Sequence, residues 1–255
     1  MRAAAHVVAE RGPGGATRLA AVRSQAPLVL RRTPGALLLV GAAGGPLGGD
    51  ELRLSVEVGE GATLTMGSVA ATIAQPGPAP GASLLHVELR VAAGGRLHWL
   101  PEPTVVAAGA LHRVVTEVTL ALGAALRWRE EVVLGRLGEA PGSYEADLRV
   151  AYAGRPLLAQ AASWGPKAPA GWDGPAVLGD ARVAGALLEV DPAWDGAWDG
   201  APPEGPAPDG TVTVLPLAGP GLLVQALAGD ALTLRRALDR AARPSFRKVL
   251  GSVDP

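Results

Sequence analysis

Apolar and polar residues alternate along most of the chain in short runs, and the runs recur. Leu52, Leu54, Val56 and Val58 alternate with Arg53, Ser55 and Glu57, and Leu85, Val87, Leu89 and Val91 alternate with His86, Glu88 and Arg90. A period of two places one set of side chains on one face, which predicts a half-buried strand. Four stretches, 56–64, 89–97, 118–126 and 148–157, each read as a strand, a Gly-bearing turn and a second strand. Their closing leucines, Leu64, Leu97, Leu126 and Leu157, fall about thirty residues apart. Such a unit cannot bury its apolar face alone, so neighbours must stack. The pattern predicts a mostly all-β chain, a β-helix-like solenoid stack of short strands, with one or two short α-helices near the C-terminus.

Residues 28–31 and 36–40 flank Thr33-Pro34-Gly35 and read as a hairpin. Further strands are expected at 63–74, 97–99, 114–120, 126–134, 144–150 and 156–161, with a proline-rich connector at 75–81. Pro101-Glu102-Pro103 forces an extended crossing, because proline donates no hydrogen bond and restricts its predecessor. The alternation weakens beyond Ala168. Residues 191–210 carry two Trp-Asp-Gly triplets and five prolines and read as a long acidic loop. Strands at 211–217 and 222–228 precede the one clear helix, 229–242. Asp230 is its N-cap, Leu232, Leu234, Leu238 and Ala242 form its inner face, Arg235, Arg236, Asp239 and Arg240 lie outside, and Arg243-Pro244 stops it. Residues 1–255 read as a single domain.

Composition narrows the function classes. Hydrophobic residues make up 48% of the 255 positions but aromatics only 4%, so the core must be built mainly from Val, Leu and Ala. The net charge of −1 comes without any basic block, which argues against nucleic acid as a partner. The chain has no cysteine, which excludes disulfides, thiolate chemistry and Cys-ligated zinc. The apolar run within residues 1–11 is too short and too interrupted for a signal peptide, and no apolar run approaches membrane-spanning length. These features point to a cytoplasmic protein that engages no membrane.

Little chemistry is spelled out. The glycine-rich 41–49 loop before Asp50 lacks a Gly-Lys-Ser/Thr ending, and a strand follows it, so no helix dipole backs an anion site. No serine has a Gly-x-Ser-x-Gly setting. The histidines are His6, His86, His98 and His112; none is spaced to share a metal locally, although stacked strands could align His98 with His112, which makes these two the weak metal candidates. One strand breaks the pattern. The parity that turns Leu126 and Trp128 inward carries Glu130, Val132, Leu134 and Arg136 with them. A buried carboxylate without a partner costs several kcal/mol by rough estimate. Unless a bulge intervenes, Glu130 and Arg136 are therefore either a structural ion pair in the core or the polar lining of an internal passage. No catalytic constellation emerges, and the chain does not read as an enzyme.

Five segments, in order, resemble the urease accessory protein UreD (also called UreH) family over most of the chain. They are Gly44-Gly45-Pro46-Leu47-Gly48-Gly49-Asp50, then Ala70-Ala71-Thr72-Ile73 with Gln75-Pro76-Gly77, and Leu97-His98-Trp99-Leu100-Pro101-Glu102-Pro103. Glu130 with Gly135-Arg136 and Gly138-Glu139 follows, and Leu232-Thr233-Leu234-Arg235-Arg236 closes the series. Met66-Gly67-Ser68-Val69 departs from the family's Thr-Thr-Gln, Ile73 stands where a lysine is common, and the Trp-Asp-Gly loop has no family counterpart. The resemblance implies a β-helix-like scaffold without catalysis of its own. It implies binding to urease apoprotein and to UreF, and through UreF to the GTPase UreG. It also implies Ni²⁺ in transit rather than a tightly bound cofactor, in a passage for which Asp50, Glu130 and Arg136 are the candidates. By analogy Arg235, Arg236 and Arg240 are candidates for partner docking. Two other classes compete: a solenoid carbohydrate-active enzyme, disfavoured by scarce lysine and aromatics, and a β-sandwich binding module, disfavoured by the repeat.

Overall fold

The alternating runs form strands that coil, and the coils stack. The computed structural model of the chain describes residues 1–78, 81–194 and 210–242. Among these residues there are seventeen strands and one helix, and the fold is mostly β, with solenoid-like stacking. One sheet contains β1 (Arg2–Arg11), β2 (Thr17–Ser24), β5 (Glu51–Val58), β8 (Ser83–Val91), β11 (Leu111–Leu120), β13 (Ser143–Tyr152) and β14 (Arg155–Trp164), in the order β14-β13-β11-β8-β5-β1-β2. The facing ten-stranded sheet has as its main path β16 (Gly210–Pro216), β17 (Gly221–Ala228), β15 (Val183–Val190), β12 (Ala125–Leu134), β9 (Arg96–Leu100), β6 (Thr63–Ser68), β4 (Ala36–Gly41) and β3 (Leu28–Thr33). Two short strands, β7 (Thr72–Ala74) and β10 (Thr104–Val106), lie off this path; β10 pairs with β7 and with the end of β12.

Within each sheet the central strands run parallel and in register, so like residues line up from coil to coil. Val7, Val56, Leu89, Val118 and Val150 form one inward row. From the other sheet Leu64, Leu97 and Leu126 form a row, and Met66, Trp99 and Trp128 another. These rows meet in the main core. Burying one such aliphatic side chain stabilises by about 1.5–3 kcal/mol, and a row repeats that gain in every coil.

The fourth repeat behaves differently. Leu157 does not join the Leu64–Leu97–Leu126 row, because β14 folds back antiparallel on β13 within the same sheet. The reason lies in the turn. Ala153 and Gly154 both have positive φ, 49° and 75°, the backbone of a tight two-residue hairpin. The earlier turns carry a single left-handed glycine, Gly61, Gly94 or Gly123, in a longer loop that crosses to the other sheet.

The expected strand at 63–74 breaks into β6 and β7. The next coil carries Pro101-Glu102-Pro103 beside the break, which leaves little ladder to join; Glu102 N instead donates to Ser68 Oγ at 2.8 Å and Thr72 N to Pro103 O at 3.0 Å. β12 runs unbroken past this gap. Strands β1, β2, β10 and β15 add to those legible in the sequence. The helix α1 (Ala231–Ala241) packs on β15, β16 and β17 and buries Leu234, Ala237, Leu238 and Ala241. Asp230 caps it, accepting from Thr233 N at 2.9 Å. Leu232 is not on the inner face. Two residues before Leu234 it is rotated about 200° away and is 59% exposed. Most of the 191–210 loop, and Arg243-Pro244, lie outside the described residues.

Candidate functional site

Two cavities open between the sheets. The larger, of about 900 Å³, is lined by Trp128, Glu130 and Val132 of β12, Gln160 and Trp164 of β14, and the 175–181 segment, among others. The smaller, of about 340 Å³, is lined by residues of the 43–46 loop, by 68–73, and by Leu85, Thr104 and His112.

Glu130 turns inward, as the strand parity predicts. In the β12 ladder Trp128 stands opposite Trp99 and Val132 opposite Thr104, so Glu130 faces the broken stretch between β9 and β10. Its carboxyl is enclosed by protein yet accessible from the cavity. Burial pushes it up to about 7, although the nearby Tyr144 hydroxyl favours the charged form. Burial and the Glu130 charge in turn raise the Tyr144 phenol. The indole nitrogen of Trp128 and the amide oxygen of Gln160 line the same cavity without a hydrogen-bond partner in the protein.

A pH dependence follows. The Glu130 carboxyl releases its proton near 7 in the folded chain and near 4.5 when unfolded. Between those values the folded state binds more protons, so its contribution to stability is greatest at low pH and declines as pH rises to about 7, by roughly 2–3 kcal/mol. Glu130→Gln removes this penalty. The variant is expected to melt like the wild type near pH 4.5 and about 5–10 °C higher at pH 8. Thermal unfolding followed across that range checks this; equal melting temperatures at pH 8 would contradict it.

Asp50 is buried at the entry to β5. It accepts from Leu47 N at 2.9 Å and pairs with the Met1 amino group. Burial works to raise its carboxyl, but these hydrogen bonds and the amino charge together hold it below the usual range. It lines neither cavity. Arg136 does not share the inward face. β12 ends at Leu134, Gly135 follows with φ of +83°, and the chain leaves the ladder. Arg136 is 56% exposed and grips Glu139 through Nε at 2.9 Å and Nη2 at 2.7 Å. That contact lowers the Glu139 carboxyl to about 2.

His98 and His112 do not align. His98 is in β9, beside Thr65 and Arg127, whereas His112 is in β11 of the opposite sheet, beside Ser83 and Tyr144. Stacking aligns strands within a sheet, not between sheets. Burial lowers both imidazoles to about 4; neighbouring Arg127 and Arg96 add to the effect at His98, while a hydrogen bond at Ser83 opposes it at His112. Among the described residues no group of three His, Asp or Glu side chains is placed to hold a metal ion.

Of the helix arginines, Arg235 is held by the protein itself. It reaches Glu131 through Nε at 3.1 Å and Glu102 through Nη1 at 3.0 Å, and hydrogen bonds to Glu131 raise its guanidinium. Arg236 and Arg240 face solvent on the same helix. The sequence reading missed Gln160 and Trp164 as cavity elements and Tyr144 as the core residue stacked on Trp164. Only the inward parity that Tyr144 shares with Leu148 and Val150 could have marked it.

Comparison with known proteins adds an independent line. The family model of the UreD urease accessory protein matches residues 1–254. A urease accessory protein UreD of Frankia alni is 48% identical over 284 aligned positions, covering 96% of this chain and 93% of its own. The protein named urease accessory protein UreD 3 of Streptomyces griseus is 47% identical over 251, covering 95% and 96%. A UreD of Streptomyces avermitilis is 45% identical over 246, covering 94% and 96%.

Proposed function

The chain belongs to the UreD urease accessory protein family, and from that premise we propose that it is a non-catalytic urease maturation factor that supports delivery of Ni²⁺ to the urease active site. The observation that carries the finer reading is Glu130, an inward-turned carboxyl in the wall of the larger cavity, which Asp180 also lines. An ion in transit needs weak, exchangeable oxygen contacts rather than a closed ligand cage. Glu130 and Asp180, set apart in a roomy chamber of mixed lining, offer contacts of that kind. In this reading the cavity is part of an internal passage, urease apoprotein and UreF are direct partners, and UreG is reached through UreF. Arg236 and the exposed Leu232 on α1 are the available docking contacts, since Arg235 is engaged internally. Among the described residues no helix is long and apolar enough to cross a membrane.

Co-expression with urease subunits, UreF and UreG tests both levels. The chain is expected to co-purify with urease subunits, and its omission to abolish most urease activity at ordinary nickel supply. Glu130→Gln is expected to leave the complex intact and lower activation about tenfold, about 1.4 kcal/mol of lost cation stabilisation. Full activation in cells lacking the chain would discard the maturation role. Full activation by Glu130→Gln would discard only the passage.

A further inference from the structure

The smaller cavity holds a buried polar group that the protein itself leaves half used. His112, near the start of β11, forms part of the cavity wall and is 1% exposed. Its Nδ1 lies 2.8 Å from Ser83 Oγ on the neighbouring strand β8. That hydroxyl donates to Leu111 O at 3.4 Å, which leaves it to accept from Nδ1–H and holds the imidazole in one tautomer. Nε2, at the far end of the ring, then carries a bare lone pair. Among the described residues no hydrogen-bond donor meets it. Burial lowers the imidazole to about 4, so the lone pair is free at neutral pH. A buried acceptor without a donor costs free energy that a donor carried in by a ligand returns.

The remaining walls set the kind of ligand. Leu28, Leu39, Leu52 and Leu85 line the chamber, and no carboxylate does. Ser68 lines it too, but its hydroxyl is engaged, donating to Ala70 O at 3.1 Å and accepting from Glu102 N at 2.8 Å. Such walls disfavour a charged ligand and favour an apolar one. An apolar cavity of about 150 Å³ stays dry and admits a benzene ring, so one of about 340 Å³ admits a ring with several further heavy atoms. A phenolic or indole group donates well, and a rigid ring loses little torsional freedom on entry. We propose that the smaller cavity is a binding site for a small neutral aromatic molecule with one hydrogen-bond donor, of phenol or indole type. The donor meets His112 Nε2 and the ring lies among the leucines. The inference is independent of the passage reading, because it concerns a separate chamber and makes no use of Glu130.

The test titrates the purified full chain with p-cresol and with p-xylene, which differ only in a hydroxyl for a methyl. p-Cresol is expected to bind with a dissociation constant of about 1 mM or below, the range open to so small a ligand. His112→Phe keeps a ring at the site and removes the acceptor. It is expected to weaken p-cresol about threefold to tenfold, as loss of one hydrogen bond would, and to leave p-xylene no weaker. Retained p-xylene binding shows that the variant still forms the cavity. A second measurement needs no variant: in the nitrogen NMR spectrum of the wild type, p-cresol is expected to shift the His112 Nε2 resonance away from that of a bare acceptor, and p-xylene to leave it in place. Should His112→Phe fail to fold, that shift decides alone. Absence of p-cresol binding overturns the inference. So does equal weakening of both ligands by His112→Phe, or an unmoved Nε2 resonance at saturating p-cresol. The nickel response of Glu130→Gln bears on the passage alone.

Discussion

Glu131→Ala is expected to destabilise the fold by about 3–5 kcal/mol, the cost of removing one partner from a buried ion network. Glu131 lies on the outer face of β12, beneath α1, and its side chain is fully buried. It accepts from Arg235 of the helix through both oxygens, and Arg129, itself nearly buried, stands 3.7 Å away. Burial lowers the Arg129 guanidinium and Glu131 opposes that lowering. Without Glu131, Arg129 keeps its charge in a dry site, and Arg235 retains Glu102 alone among its carboxylates. Both changes act at the seam between α1 and the sheet, so urea unfolding should show an earlier midpoint and loss of helical signal first. A loss below about 1 kcal/mol would mean that the apolar contacts of Leu234 and Leu238 hold the helix without the charges.

Gly165→Ala is expected to cost a comparable 3–5 kcal/mol, near the upper end for a single substitution. Gly165 follows β14 with φ of +99°, and a β-carbon there would sit 2.1 Å from the carbonyl oxygen of Gly142 and 2.7 Å from Cα of Ser143. Both obstacles are backbone and cannot swing aside. Relief requires parting the start of β13 from the end of β14, where Lys167 N donates to Ser143 Oγ at 2.9 Å. Trp164 and Tyr144 lie on that same join, so the cavity wall moves with it. Gly138→Ala is the control. It also has positive φ, +73°, but nothing within 4 Å, and is expected to cost about 1 kcal/mol by backbone strain alone. Equal effects of the two variants, read by chemical unfolding, would show that conformation rather than contact governs Gly165.

The coils were legible because period-two alternation reports the buried face directly, and a thirty-residue recurrence reports stacking. Where alternation failed, so did the reading. β15 is buried on both faces, because α1 covers its outer side, and its Val-Ala-Gly-Ala-Leu-Leu-Glu-Val carries no period. β1 turns small residues inward, Ala3, Ala5 and Ala9 beside Val7, a weak signal in an alanine-rich chain. The fourth repeat was misplaced because its turn is a tight two-residue hairpin, Ala153-Gly154, that reverses the chain, where the longer turns of the other repeats pass it across. Glu130 was found by parity, which holds while a strand continues. Arg136 was lost by the same rule, because parity ends where Gly135 ends the ladder. His98 and His112 were linked by their place in the repeat, and no one-dimensional signal says that two such places belong to different sheets.

The closing hairpins have a consequence for self-association. A parallel coil with bare ends would offer each newcomer the same hydrogen-bonding template that its own strands use, and fibres grow in that way. Here β3 turns back on β4, β2 on β1, and β14 on β13, while β15 to β17 reverse direction beyond β12. The outermost strands carry Arg31 and Arg32, Arg18 and Arg23, or the prolines Pro156 and Pro216. The reversed direction of the closing strands, with these charges and prolines, works against end-to-end annealing into a polymer of the same architecture.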